Sequence, residues 1–164
     1  MRLDTEYLVQ RYKDDLYAAA FSIVKSREDA EDIAQETFLR YWNSDKQFES
    51  EAHIKAWLLR VAINRAKNAV LSYWWRNRVS YEDYMAELTF ETEEDRRVLD
   101  AILSLPQKYR IVLHLYYYED YSVKEIADIL SAKENTVKTR LSRGRQLLKT
   151  TLTEVWNENE SRDL

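Results

Sequence analysis

Residues 121–149 read YSVKEIADILSAKENTVKTRLSRGRQLLK, and this stretch divides into two short helices around a tight turn. Ser122 is placed to cap the first helix, and Glu125 three residues on completes a capping box. Val123, Ile126, Ala127 and Leu130 recur at the spacing of one buried helical face. Ala127 is small where a second helix has to come close. Ser131, Ala132 and Lys133 interrupt the pattern, and a new helix is predicted to begin near residues 134–136. There Val137, Leu141, Gly144 and Leu148 fall on one side of the helical wheel.

The other side carries Asn135, Lys138, Thr139, Ser142 and Arg143, a set of amide, hydroxyl and cationic donors with little apolar bulk. A helix entering a DNA major groove needs that chemistry. Arg and Lys donate to guanine edges, Asn pairs with adenine, and the flanking Arg140, Arg145 and Lys149 are within reach of phosphates. The arrangement is that of a helix-turn-helix whose second helix reads. On periodicity alone, an ordinary helical hairpin with a solvated basic face explains the stretch equally well. The turn also lacks the glycine often found there.

The remainder of the 164 residues suits an all-α chain. One Gly, one Pro and no Cys leave few turns, no disulfide and no thiolate metal site. No apolar run reaches the length of a membrane span, and the N-terminus shows no signal-peptide pattern, so a cytoplasmic protein is expected. The net charge of −4 is unusual for a nucleic-acid binder, but it is unevenly distributed. Residues 53–81 hold Lys55, Arg60, Arg65, Lys67, Arg76 and Arg78 without an acid, whereas residues 82–100 collect most of the middle's carboxylates. Two basic blocks flanking an acidic connector point to two DNA contacts. The acidic balance implies weak nonspecific affinity for the isolated chain.

Before the connector three helices are expected. Residues 5–24 supply apolar positions at Tyr7, Leu8, Tyr12, Leu16, Ala19, Phe21 and Ile23. Ser26 caps the second helix, which buries Ala30, Ile33, Ala34, Thr37, Phe38 and Tyr41 and turns Asp32, Gln35, Glu36 and Leu39 outward. A polar loop over residues 43–52 contains Phe48. A third helix over residues 52–76 packs Ile54, Leu58 and Val61 inward, with Arg60, Asn64 and Lys67 in a stripe edged by Trp57. Cations interleaved with an aromatic suit single-stranded DNA. Trp74 and Trp75 read as core or partner-facing. After the connector, residues 95–105 place Val98, Ile102 and Leu105 on one face. Pro106 opens a helix burying Tyr109, Val112, Leu113 and Tyr116.

The segment TVKTRLSRGRQLLK, preceded by YSVKEIADIL, resembles the promoter-reading region of extracytoplasmic-function sigma factors, and DAEDIAQETFLRYW at residues 29–42 resembles their core-polymerase-binding segment. The similarity runs from about residue 7 to about residue 152, with both motifs in the family's order. The resemblance implies two small helical domains. Residues 1–78 would bind core RNA polymerase and open the −10 element, and residues 95–156 would read the −35 element. Residues 79–94 would form an acidic linker, which in the family threads toward the RNA exit path, and residues 157–164 a frayed tail. In the unbound protein the linker is expected to be solvated and disordered.

It further implies that Asp32, Gln35, Glu36 and Leu39 grip the β′ clamp helices, with the β subunit as a second contact. WLLRVAINRAKN resembles the promoter-melting region, so Trp57, Arg60, Asn64, Lys67 and Asn68 would meet the −10 strand. Asn68 stands where relatives often carry Asp. Phe48 either stacks on a flipped base or tucks into the core. An anti-sigma partner is a further implication. His53 and His114 lie in different domains, no glycine-rich phosphate loop is possible, and no catalytic constellation, cofactor, metal or small-molecule substrate is expected. A stand-alone transcription regulator would share the helix-turn-helix but would not need the residue 29–42 surface.

Overall fold

A computed structural model describes residues 1–74 and 92–162, all of the regular structure in them helical. In order these are α1 (Thr5–Val24), α2 (Arg27–Trp42), α3 (Glu51–Trp74), α4 (Glu93–Ser104), α5 (Gln107–Leu113), a π-helical turn (His114–Tyr118), α6 (Val123–Leu130) and α7 (Glu134–Arg162). Most of the expected linker, together with Trp75, Arg76 and Arg78, lies outside the described residues.

Helices α1, α2 and α3 pack together into the N-terminal unit. Leu8, Leu16, Ile54, Leu58, Leu59 and Tyr41 are fully enclosed there, each aliphatic side chain contributing about 1.5–3 kcal/mol by leaving water. The predicted buried side of α2 is the observed one: Ala30, Ile33, Ala34, Thr37, Phe38 and Tyr41. Ser26 caps that helix, its hydroxyl accepting from the Asp29 amide at 3.3 Å. The Tyr41 hydroxyl is satisfied in the core by donating to the Leu3 carbonyl at 2.8 Å and accepting from the Leu3 amide at 2.9 Å. Glu51, at the start of α3, ties in α1 by accepting from Tyr12 at 2.6 Å and Tyr7 at 3.0 Å and pairing with Arg11 at 3.0 Å.

In the C-terminal unit α5 and α7 pack most closely, because Gly144 removes a side chain where the helices meet. A Cβ there would lie 3.1 Å from Leu113 Cδ1 and 3.3 Å from Tyr109 Cβ. Helix α4 begins at Glu93, so the last residues assigned to the linker are helical. On α4 it is Ala101 and Leu103 that are buried, while Val98 is exposed on the outer face. Helix α7 extends as far as Arg162, into the run expected as a frayed tail, each added residue contributing one backbone bond to a formed helix.

The two units do not stand apart. Helix α1 packs on α5 and the π-helical turn, α3 packs on α6, and a single buried cluster runs from Leu8 through Leu141.

Candidate nucleic-acid interface

The helix-turn-helix forms as its sequence dictates. Ser122 Oγ accepts from the Glu125 amide at 3.1 Å while Glu125 Oε1 accepts from the Ser122 amide at 3.0 Å, closing the capping box. Ile126, Ala127 and Ile129 are buried. The turn that lacks glycine is made by Ser131 in the left-handed region, φ 53°, a conformation costing roughly 1–2 kcal/mol for a residue with a Cβ. The Ala132 amide donates back to the Ala127 carbonyl at 2.9 Å, securing that end of α6.

On α7, Val137, Leu141 and Gly144 are buried, and Leu148 is partly so. Asn135, Lys138, Thr139, Ser142 and Arg143 are all exposed, in one stripe on the opposite face. Thr139 donates its hydroxyl to the Asn135 carbonyl at 2.9 Å. Arg140 is half-buried at the edge of this stripe. Arg145, expected to reach a phosphate, is exposed and also engaged within the chain. Its Nε donates to the Tyr117 hydroxyl at 2.6 Å, and its guanidinium lies 5.2 Å from the Tyr116 ring, so in this arrangement it braces the π-helical turn.

The α3 stripe is differently placed. Asn64 and Asn68 are exposed, Trp57 is half-buried, and Lys67 is half-buried. Burial, and secondarily the Arg140 cation, pull the Lys67 ammonium below its ordinary range. Arg60 donates to the Ser131 hydroxyl in the turn of the helix-turn-helix. Phe48 is corrected to a core residue: it is 3% exposed, stacked on Tyr41 at 5.8 Å and edge-on to Trp57 at 5.6 Å and His53 at 5.2 Å. Three neighbouring rings and the Phe48 amide bond to the Met1 carbonyl hold it inward.

On α2, Asp32, Gln35, Glu36 and Leu39 stand outward as expected, Leu39 at 59% exposure. Glu36 is paired with Arg65 of α3 at 2.6 Å. Trp42, 66% exposed, extends the same stripe one turn further. Sequence reasoning missed it, although its spacing of three from Leu39 carries the signal. A surface leucine and tryptophan beside carboxylates form an apolar patch of the kind that docks a partner.

Between α1, α4, α5 and the second half of α7 lies an apolar cleft of about 1020 Å³, lined by Tyr17, Phe21, Leu99, Leu113, Leu148 and Leu152 among others. His114 and Arg145 also border it. Burial drives the His114 imidazole down to about 4, so it is neutral at physiological pH.

An acidic α2 face with exposed Leu39 and Trp42, a cationic α3 and a helix-turn-helix on one all-α chain are the features of a promoter-recognition subunit. The family model described as Sigma-70 region 2 matches residues 8–76, and that described as Sigma-70, region 4 matches residues 95–148. The chain is 31% identical to the ECF RNA polymerase sigma factor SigW of Bacillus subtilis, covering 90% of this chain and 88% of the relative. It is 32% identical to SigM of the same organism, covering 91% and 94%. The fold matches that of the Bartonella quintana sigma factor RpoE, solved with the anti-sigma factor NepR, at TM-score 0.71 and 22% identity over 90% of this chain and 96% of that one. It also matches CnrH, solved with the cytosolic domain of CnrY, at TM-score 0.68 and 24% identity over 92% and 88%. The chain belongs to the extracytoplasmic-function sigma factors, alternative sigma subunits that bind core RNA polymerase and direct promoter-specific initiation.

Proposed function

We propose that each exposed stripe takes one step of initiation, by binding alone and without covalent chemistry, in the cytoplasm. The α2 stripe of Asp32, Gln35, Glu36 and Leu39, extended by Trp42, grips the β′ clamp helices. Trp57, Arg60, Asn64, Lys67 and Asn68 on α3 meet the −10 strand, cations following phosphates and the ring offering a stacking edge. Lys138, Thr139, Ser142 and Arg143 on α7 read the −35 element, with Asn135 and Arg140 at the margins. The single observation that carries this reading is the division of α7, whose apolar positions are buried while all five donor residues opposite stand open. An anti-sigma partner is proposed too, the apolar cleft having room for one face of an amphipathic helix.

The test is reconstituted transcription: core polymerase with this protein on fragmented bacterial DNA, scoring initiated transcripts. Defined start sites absent with core alone are expected, and they report the promoter sequence at once. Leu39→Arg in the same assay is expected to abolish assembly with core while leaving the helical circular dichroism unchanged. Assembly as in wild type would remove the α2 stripe from this reading. DNA shifts without core binding would favour a stand-alone regulator.

A further inference from the structure

Ahead of α1, residues 1–3 are bonded to the loop that joins α2 to α3. The Phe48 amide donates to the Met1 carbonyl at 3.1 Å. The half-buried Arg2 guanidinium donates through one amino group to the Lys46 carbonyl at 2.7 Å and through the other to the Tyr41 carbonyl at 2.7 Å. The same guanidinium lies over the Tyr41 ring at 4.2 Å, a cation–π contact. Tyr41 is in the last turn of α2, where carbonyls lack intrahelical donors and carry the negative end of the helix dipole. One planar fork therefore ties the end of a helix to the middle of a loop, a geometry that the point charge of a lysine does not reproduce.

The loop is supported on its other flanks as well. The Lys46 amide donates to Ser44 Oγ at 3.1 Å, and the Glu49 amide donates to His53 Nδ1 at 3.1 Å. With Phe48 seated in the core, Lys46 and Gln47 are left exposed between two pinned ends. The Lys46 ammonium stands 5.7 Å from the Phe48 ring centre and 6.0 Å from that of Trp57, the aromatic edge of the α3 row. A cation held beside a partly open ring is the pairing that single-stranded DNA uses, with phosphate on the cation and base on the ring. Net charge does not draw a strand here, because Asp45 and Glu49 outnumber Lys46 in the loop. What Lys46 can contribute depends on where its ammonium stands, since Coulomb attraction falls with distance.

We propose that Arg2 is a positioning residue for promoter binding. By clamping the residue 43–50 loop to α2, it sets Lys46 at the Trp57 edge of the α3 row, where Lys46 takes a phosphate of the −10 strand. The proposal rests on the reading of α3 as the −10 contact and extends that row by one cation drawn from outside the helix. Arg2 acts without touching DNA, both of its amino groups being engaged by carbonyls.

The test uses the full-length protein assembled with core polymerase, and a labelled single strand spanning the −10 region of a start site mapped by reconstituted transcription. Lys46→Ala is expected to weaken binding of that strand about three- to tenfold, and of a scrambled strand equally, while lowering the slope of log K against log salt by about 0.7. Arg2→Ala is expected to cause the same loss. Arg2→Lys is expected to cause it too, because an ammonium keeps the charge without the fork. The double variant Arg2→Ala/Lys46→Ala is expected to bind no more weakly than Lys46→Ala alone, as two residues acting through one contact should. Circular dichroism melts check that each variant folds.

Full affinity and an unchanged salt slope for Lys46→Ala would overturn the contact. Losses that add in the double variant would overturn the positioning role, as would wild-type binding by Arg2→Lys, or by an Arg2→Ala that merely melts earlier. Lys67→Ala separates this proposal from the reading it rests on. If neither Lys67→Ala nor Lys46→Ala changes binding, the α3 reading falls and the loop contact with it. A loss from Lys67→Ala alone removes only the loop contact.

Discussion

Helices α3 and α7 both carry a row of DNA-suited side chains, yet they are presented differently. The α7 row stands exposed on the outer face, with only the Thr139 hydroxyl turned back onto the helix. The α3 row is partly engaged, with Arg60 on Ser131 and Lys67 half-buried near Arg140, while Asn64 and Asn68 are exposed. The difference follows from what each helix packs against. Helix α7 turns its inner face into α5 through Gly144, leaving the outer face free. Helix α3 buries one side in its own unit and also lies against α6 of the other. A display surface on a domain's outer face stays open, whereas one at a domain seam depends on where the neighbour sits.

Acid should produce the largest change in this contrast. The His114 imidazole at about 4, against an ordinary value near 6.5, means the packed state binds fewer protons than the opened one between those limits. Its contribution is therefore fully present above about pH 6.5 and is lost as pH falls to about 4, by up to roughly 3 kcal/mol. The Glu119 carboxyl, raised above its ordinary range by burial, acts with the opposite sign and blunts the effect. Denaturant midpoints measured across that window should fall with pH, and His114→Gln should flatten the slope.

Gly144→Val comes next. Filling a gap of 3.1 Å to Leu113 should cost about 1–3 kcal/mol in thermal stability and dislodge α7 while α3 keeps its helix. Arg143→Ala should cost roughly 1–3 kcal/mol of binding to the preferred −35 sequence and little on scrambled DNA, as measured by competition titration. An equal loss on all sequences would make Arg143 a phosphate contact. The smallest effect is expected from Ser131→Gly. Relief of the left-handed strain at φ 53° should outweigh the flexibility of glycine by less than about 1 kcal/mol. The same change removes the hydroxyl that Arg60 holds, so the reader should melt slightly later while the α3 row becomes freer.

Much of this was legible in the chain because it is local. The capping box at Ser122 and Glu125, the buried side of α2 and the inner face of α7 are all fixed by spacings within one helix. The π-helical turn at residues 114–118 was not, since one extra residue per turn leaves no mark on a run of three tyrosines. Phe48 could be read either way, because an aromatic in a polar loop is decided by rings elsewhere, here Tyr41 and Trp57. The ion pair of Lys55 with Glu119 joins residues of separate domains, and no periodicity connects them.

Helix α7 runs unbroken for 29 residues, a rod of about 43 Å at roughly 1.5 Å per residue. Its first half carries the exposed donor row proposed to read bases, and its second half, through Leu148 and Leu152, forms one wall of the apolar cleft. A stiff lever has no private ends. Whatever wedges the cleft apart or draws it shut tilts the far tip by a proportionate arc, so an occupant that never approaches the double helix can still change the angle at which the reader meets it.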